Sequence, residues 1–294
     1  MKNEYPDYYY SDDGTRVFYL TNFKKEELKP DEVVIVFNYG LVCNRRHFTP
    51  QEEYFDSLGY KILVHDYRAH YSSSGQDKIE LCTFENIAAD IKGILDTFSI
   101  TKPIMIGHSM GVNVTLEFCK NYPNNIYKSI LISGSVLPPQ DIMFDSNIVD
   151  IASPFIQKFA NNSPAVFEFI WKNSYKNPIA RKAVLDGGFN TKKVEDSFVQ
   201  IYMKKISELP KDIFFHLLEE MKNHDIISSL ENIFTPTLII GGDSDKVIPN
   251  YLQRILQEYL PNSKLYILKD GSHVPQIDFP ELTNSRIETF ITRG

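Results

Sequence analysis

The chain has 294 residues, 43% of them hydrophobic and 13% aromatic, and a formal net charge of -7. That is enough apolar material for one large core, or for a core with an inserted subdomain. The acidic excess is modest and dispersed, and the basic residues cluster no further than pairs such as Lys24-Lys25, Arg45-Arg46 and Lys192-Lys193, which argues against a nucleic-acid partner.

The first residues, "MKNEYPDYYY", carry no apolar segment of the secretory-signal kind, and no apolar run is long enough to span a bilayer. The three cysteines, Cys43, Cys82 and Cys119, are odd in number and widely spaced, without a metal-type pair or a disulfide framework. A reducing compartment, the cytoplasm, is the expectation. From Tyr8 to Phe23, two β-rich runs flank Asp12-Asp13-Gly14, a hairpin signal. Runs of another kind follow: "VVIVF" (33–37), "KILVHD" (61–66), "PIMIG" (103–107), "SILIS" (129–133), "TLIIG" (237–241) and "KLYIL" (264–268). Each is short, apolar and largely unalternating, as strands buried on both faces are in a parallel sheet. Helical patterns separate them. In "FENIAADIKGILDTF" (84–98), Ile87, Ile91, Ile94, Leu95 and Phe98 recur at helical spacing, and 111–122 and 251–260 behave alike. The expected fold class is therefore α/β, a mostly parallel twisted sheet flanked by helices, with an antiparallel start.

The alternation stops between about Leu137 and Ile226, where amphipathic runs such as "PAVFEFIWKN" and "VEDSFVQIYMKKISEL" predict helices alone. We expect two parts: a core of 1–137 and 209–294, and a helical cap over 138–208, with a core helix following it. The cap segment holds ten aromatic residues. Most must pack its helices, and a few are expected to line an apolar pocket.

The stretch with the most chemistry is "IMIGHSMGVNV", residues 104–114. A serine hydroxyl is a weak nucleophile that needs a base for its proton and donors for the oxyanion it generates. A sharp strand-to-helix turn lifts Ser109 above the sheet and sets the next N–H at a helix N-terminus. Gly107 and Gly111 let the two backbones approach.

On these residues the chain resembles the α/β-hydrolase superfamily over nearly its whole length, in the capped, single-domain esterase/lipase branch of serine hydrolases. "GHSMG" is similar to the nucleophile elbow, "GGDSDKVIP" (241–249) to the acid-bearing turn and "KDGSHVPQIDFPE" (269–281) to the histidine loop. "HDYRAHYSSSG" (65–75) resembles the Asp-x-Arg-Gly-x-Gly-x-Ser segment, with Ala69 and Tyr71 replacing two of its glycines.

The partners of Ser109 should follow in the order acid, then histidine. Of seven histidines, only His273 follows a late core strand in a Gly-Ser-His loop free to reach the elbow. His65, in a strand, reads as structural, and His216 and His224 as surface or packing residues. His47 and His70 lie in loops near the expected pocket. The acid orients the imidazole. Asp243 and Asp245 both follow the strand. The family places its acid four residues before a proline, as Asp245 stands to Pro249, leaving Asp243 to shape the turn. The expected catalytic set is Ser109, Asp245 and His273.

One oxyanion donor should be the Met110 N–H. The second should come from the loop after "VVIVF", where this chain has "NYGLVCN" in place of the family's His-Gly. Aligning Gly40 with the family glycine makes Leu41 N–H the second donor. Asn38, Tyr39 and His108 are candidate pocket residues, although the His108 side chain should point away from that of Ser109. Cys43 reads as a packing residue, with no neighbour to activate it.

A serine at 109 argues against the aspartate-nucleophile relatives with this fold, and no metal cluster or dinucleotide fingerprint is present. No cofactor is implied. The resemblance implies acyl transfer to water from a small-molecule carboxylic ester or thioester. An acyltransferase, a thioesterase, a carbon–carbon hydrolase, or a ligand-binding or signalling protein on the same scaffold stays open, because fold and triad are shared.

Overall fold

The computed structural model describes residues 1–137, 158–160 and 162–293. One eight-stranded sheet organises them: β1 (Tyr5–Tyr10), β2 (Arg16–Thr21), β3 (Val33–Asn38), β4 (Lys61–His65), β5 (Lys102–His108), β6 (Lys128–Ile132), β7 (Thr237–Gly242) and β8 (Ser263–Leu268). Their spatial order is β1-β2-β4-β3-β5-β6-β7-β8.

The N-terminal hairpin pairs antiparallel, with Tyr10 opposite Arg16. Gly14 takes φ 81 at its turn, where Thr15 N–H is held by the Asp13 carboxylate at 2.8 Å. β2 joins β4 antiparallel, and the remaining strands run parallel. The middle strands β3, β4, β5, β6 and β7 are buried almost throughout, which is why their sequences do not alternate.

The helix Phe84–Thr97 presents the expected stripe, with Ile87, Ile91, Ile94 and Leu95 buried and Thr83 capping it through Asn86 N–H. Asp90 lies on the same buried stripe. It takes both Nε and Nη2 of Arg68, at 2.7 and 2.8 Å, while Nη1 of Arg68 reaches Asp13 at 2.8 Å. A charge inside the stripe is tolerated because the guanidinium pairs it bidentately. Arg68 comes from the segment after β4, where Ala69 and Tyr71 adopt φ 63 and φ 39. These are the two positions at which the family pattern has glycine, so this chain holds side chains in a backbone region that disfavours them.

Between β6 and β7 the described residues form no strand. Helices span Pro164–Lys172, Pro178–Gly188, Asp196–Glu208 and Lys211–Asn223. The last contributes Ile213 and Leu217 to the main core. Residues 138–157 and 161 of the expected cap, with Phe144 and Phe155, lie outside the described residues.

Candidate active site

Three loops at the carboxyl ends of parallel strands converge where an open α/β sheet places ligands. Ser109 follows β5, Asp245 follows β7 and His273 follows β8. Ser109 has φ 54 and ψ -123, outside the comfortable regions for a side-chain-bearing residue. The helix Met110–Asn121 starts at the next residue, so the Met110 N–H is one of the donors a helix leaves unpaired. A Cβ on Gly111 would stand 2.0 Å from the Asn38 carbonyl oxygen, and one on Gly107 would stand 2.4 Å from the Gly111 oxygen. The elbow closes only because both side chains are missing.

Gly40 packs against the elbow just as closely. A Cβ there would come within 2.9 Å of the Ser109 Cβ. The loop of Gly40 and Leu41 therefore lies directly beside the nucleophile candidate, curled by a Cys43 N–H to Gly40 C=O bond of 3.1 Å and by φ 55 at Val42.

His273 Nδ1 and Asp245 Oδ2 are 3.0 Å apart. A carboxylate oxygen only accepts, so Nδ1 carries the proton and Nε2 keeps the lone pair that a general base needs. The other Asp245 oxygen accepts from Val247 and Ile248 N–H at 2.8 and 2.9 Å. Asp243 is exposed and serves a different contact, accepting the Asp270 N–H at 2.7 Å. Among the described residues, no hydrogen bond joins the Ser109 hydroxyl to the imidazole. The two residues are linked through His108, whose Nε2 reaches the His273 carbonyl at 2.9 Å.

The other singled-out residues sit deeper. Asn38 is fully buried, donating to Thr115 Oγ1 at 2.9 Å and meeting His65 Nε2 at 3.0 Å. The Tyr39 ring is buried too. Its hydroxyl accepts the Tyr67 N–H at 2.9 Å, and its carbonyl accepts the Tyr67 hydroxyl at 2.9 Å. Both side chains brace the loop from inside, satisfied by partners a sequence does not display. Burial pushes the Cys43 thiol up, the opposite of what a thiolate nucleophile requires.

His47 and His70 are buried, and burial depresses them to about 3 and about 4. His65 is likewise held at about 3. His216 meets the Cys82 carbonyl at 3.2 Å. His224 is more than a packing residue: its Nε2 donates to Glu117 at 2.9 Å, which helps to draw the Glu117 carboxyl down to about 2.

One set of contacts has no signature in spacing. Asp278 accepts the Ser272 N–H at 2.7 Å, beside His273, and burial raises its carboxyl. Ser272 Oγ donates to the Gly188 carbonyl at 3.1 Å, and Asn190 Nδ2 to the Asp270 carbonyl at 2.9 Å. The histidine loop is thus tied to the segment before β7. A cavity of about 400 Å³ opens at that seam, lined by Phe189, Asn190, Lys192, Lys246 and Ser272 among others. Among the described residues no group of side chains could hold a metal ion, and no helix is long and apolar enough to cross a membrane.

The sheet order and the strand-end site together define an α/β-hydrolase architecture, and the family profile of the alpha/beta hydrolase fold matches residues 33–280. The chain belongs to that family. It is 23% identical over 269 residues to Protein ABHD8 of Mus musculus, covering 88% of this chain and 55% of that protein. The chain thus spans about half the length of that relative. A putative esterase/lipase of Haemophilus influenzae is 25% identical over 282 residues, with 94% of this chain and 89% of that one covered. The solved enol-lactonase of Burkholderia xenovorans superposes with a TM-score of 0.76 at 18% identity, over 98% of this chain and all (100%) of that one, a likeness of fold.

Proposed function

We propose that this protein is a serine hydrolase that cleaves a small-molecule carboxylic ester or thioester through an acyl-enzyme on Ser109. The observation that carries the reading is the His273–Asp245 pair at 3.0 Å beside a serine held at φ 54. In the mechanism, the Ser109 hydroxyl attacks the carbonyl carbon and His273 Nε2 takes its proton. The tetrahedral oxyanion is met by the Met110 and Leu41 N–H groups. The protonated imidazole gives its proton to the leaving alkoxide or thiolate, the C–O or C–S bond breaks, and Ser109 is left acylated. Water, deprotonated by the same Nε2, then attacks the acyl carbon, the Ser109 Oγ–acyl bond breaks, the imidazolium returns its proton to Oγ and the acid leaves. Asp245 holds the tautomer and stabilises the imidazolium throughout.

Relatives named as esterase/lipase and as carbamate hydrolase support an acyl-type bond as the target. The segment 138–208 acts in this reading as a cap whose inner face selects the acyl group. Phe198 and Tyr202, on the helix Asp196–Glu208, stand 5.5 and 4.9 Å from the ring of His47 next to the elbow, which supports that role. Each methylene buried there contributes roughly 0.8 kcal/mol of binding. Fluorophosphonate labelling of the wild type, set against Ser109→Ala, tests the nucleophile. An unlabelled wild type, or a Ser109→Ala variant with more than about a tenth of the esterase rate, refutes the reading, since loss of a triad serine costs on the order of a millionfold.

A further inference from the structure

We infer that His108 is the positioning residue for the general base, fixing the His273 main chain against the nucleophile elbow. This rests on the serine-hydrolase reading above. The contact is a buried hydrogen bond of 2.9 Å between residues 165 positions apart in sequence, from the residue next to the nucleophile to the carbonyl of the base itself. It fixes its own direction. A carbonyl only accepts, so His108 Nε2 carries the proton and donates.

The imidazole is locked in that form. Its ring is 1% exposed, and burial, reinforced by His273 and His47, holds it neutral. Nδ1 is consequently a bare lone pair, and it has no hydrogen-bond partner. A second tautomer would leave the His273 carbonyl without this donor and place a proton where nothing accepts it. The ring is also held from both sides. It lies 5.0 Å from the His273 ring and stacks at 6.3 Å, with 15° between planes, on His47. A Cβ at Gly40 would approach its Nδ1 to 3.3 Å, so the Gly40–Leu41 loop closes a third side.

The neighbouring anchors grip other residues of the histidine loop. Asp278 holds Ser272 N–H, and Ser272 Oγ holds Gly188. His108 alone of these takes the backbone of residue 273, and it does so from the strand that presents Ser109. Nε2 is spent on that carbonyl and Nδ1 is buried with no donor to face, so the ring orients the base and has no part in proton transfer.

The test compares variants by steady-state kinetics on p-nitrophenyl acetate, per folded molecule. His108→Phe keeps a planar ring and removes the donor. It should lower kcat by about a hundredfold, the effect of a displacement near 1 Å in a reacting pair, and leave KM within about threefold. The rate of fluorophosphonate labelling should fall in parallel. His108→Gln presents an amide N–H at the reach of Nε2 and should recover to within about fivefold of wild type, whereas His108→Asn, too short, should not. A folded His108→Phe with kcat within threefold of wild type overturns the inference. If His108→Phe does not fold, equal kcat in the Gln and Asn variants overturns it. Failure of the underlying reading looks different: wild type would not label, or Ser109→Ala would retain its rate.

Discussion

Asp245→Asn is the perturbation whose outcome the geometry defines most sharply. One carboxylate oxygen accepts two N–H groups, from Val247 and Ile248, and the other accepts Nδ1–H of His273. An asparagine has one oxygen and one NH₂. With its oxygen on the two backbone donors, its NH₂ faces His273 Nδ1, and the imidazole must move its proton to Nε2 to accept it. The base then has no lone pair for Ser109. The flipped amide would set its NH₂ against two N–H donors, leaving both unsatisfied at about 1–3 kcal/mol each. The first arrangement wins, and the wrong tautomer is locked in by residues outside the triad. The expected loss in kcat is about ten-thousandfold, or roughly 5.5 kcal/mol of transition-state stabilisation. Stability should hardly change, because every backbone donor keeps its partner. The assay is p-nitrophenyl acetate hydrolysis with urea titration of the same samples, and Asp243→Asn as control, expected within about threefold of wild type because its carboxylate serves only the Asp270 N–H and a neighbouring hydroxyl. An Asp245→Asn variant above a tenth of the wild-type rate, or a dead Asp243→Asn, refutes the reasoning.

Acid should destabilise the fold through buried histidines. His47, His65 and His70 titrate at about 3, 3 and 4 when folded, below the ordinary 6.5, so the unfolded chain binds more protons below 6.5 and stability falls as pH drops from there toward 4. Each contributes about 1.4 kcal/mol per pH unit. Urea midpoints at pH 7, 6 and 5 should show the slope, and His65→Gln should reduce it by about one proton; an unchanged slope contradicts this. Arg68→Met should destabilise by about 3–5 kcal/mol, because it strands the buried Asp90 carboxylate, and Arg68→Met with Asp90→Leu should recover much of that loss in the same titration. Gly111→Ala should abolish the elbow, since its Cβ would lie 2.0 Å from a backbone oxygen; soluble protein with normal esterase activity would show that helix and loop can separate.

Much of this protein was legible in its sequence. The unalternating runs marked β3 to β7 because strands covered on both faces must be apolar at every position; β8, read from its sequence in the same way, is instead an edge strand that is mostly half-buried, and each observed strand contains most of its predicted run. The elbow was legible for a local reason as well: two glycines and a serine at a strand-to-helix junction describe a turn whose geometry is set within five residues. What tertiary structure decided was which polar groups meet. Strand position marks His65 as structural but does not show that it meets Asn38, and nothing in the spacing links His108 to a carbonyl 165 residues away. Nor does it show Asp278 gripping Ser272, or Ala69 and Tyr71 bearing positive φ where glycine would sit with less strain. Such contacts carry no period. They form only where the ends of separate strands and loops are brought together by the packed sheet, and a buried polar side chain is tolerated there only because its partner arrives with it.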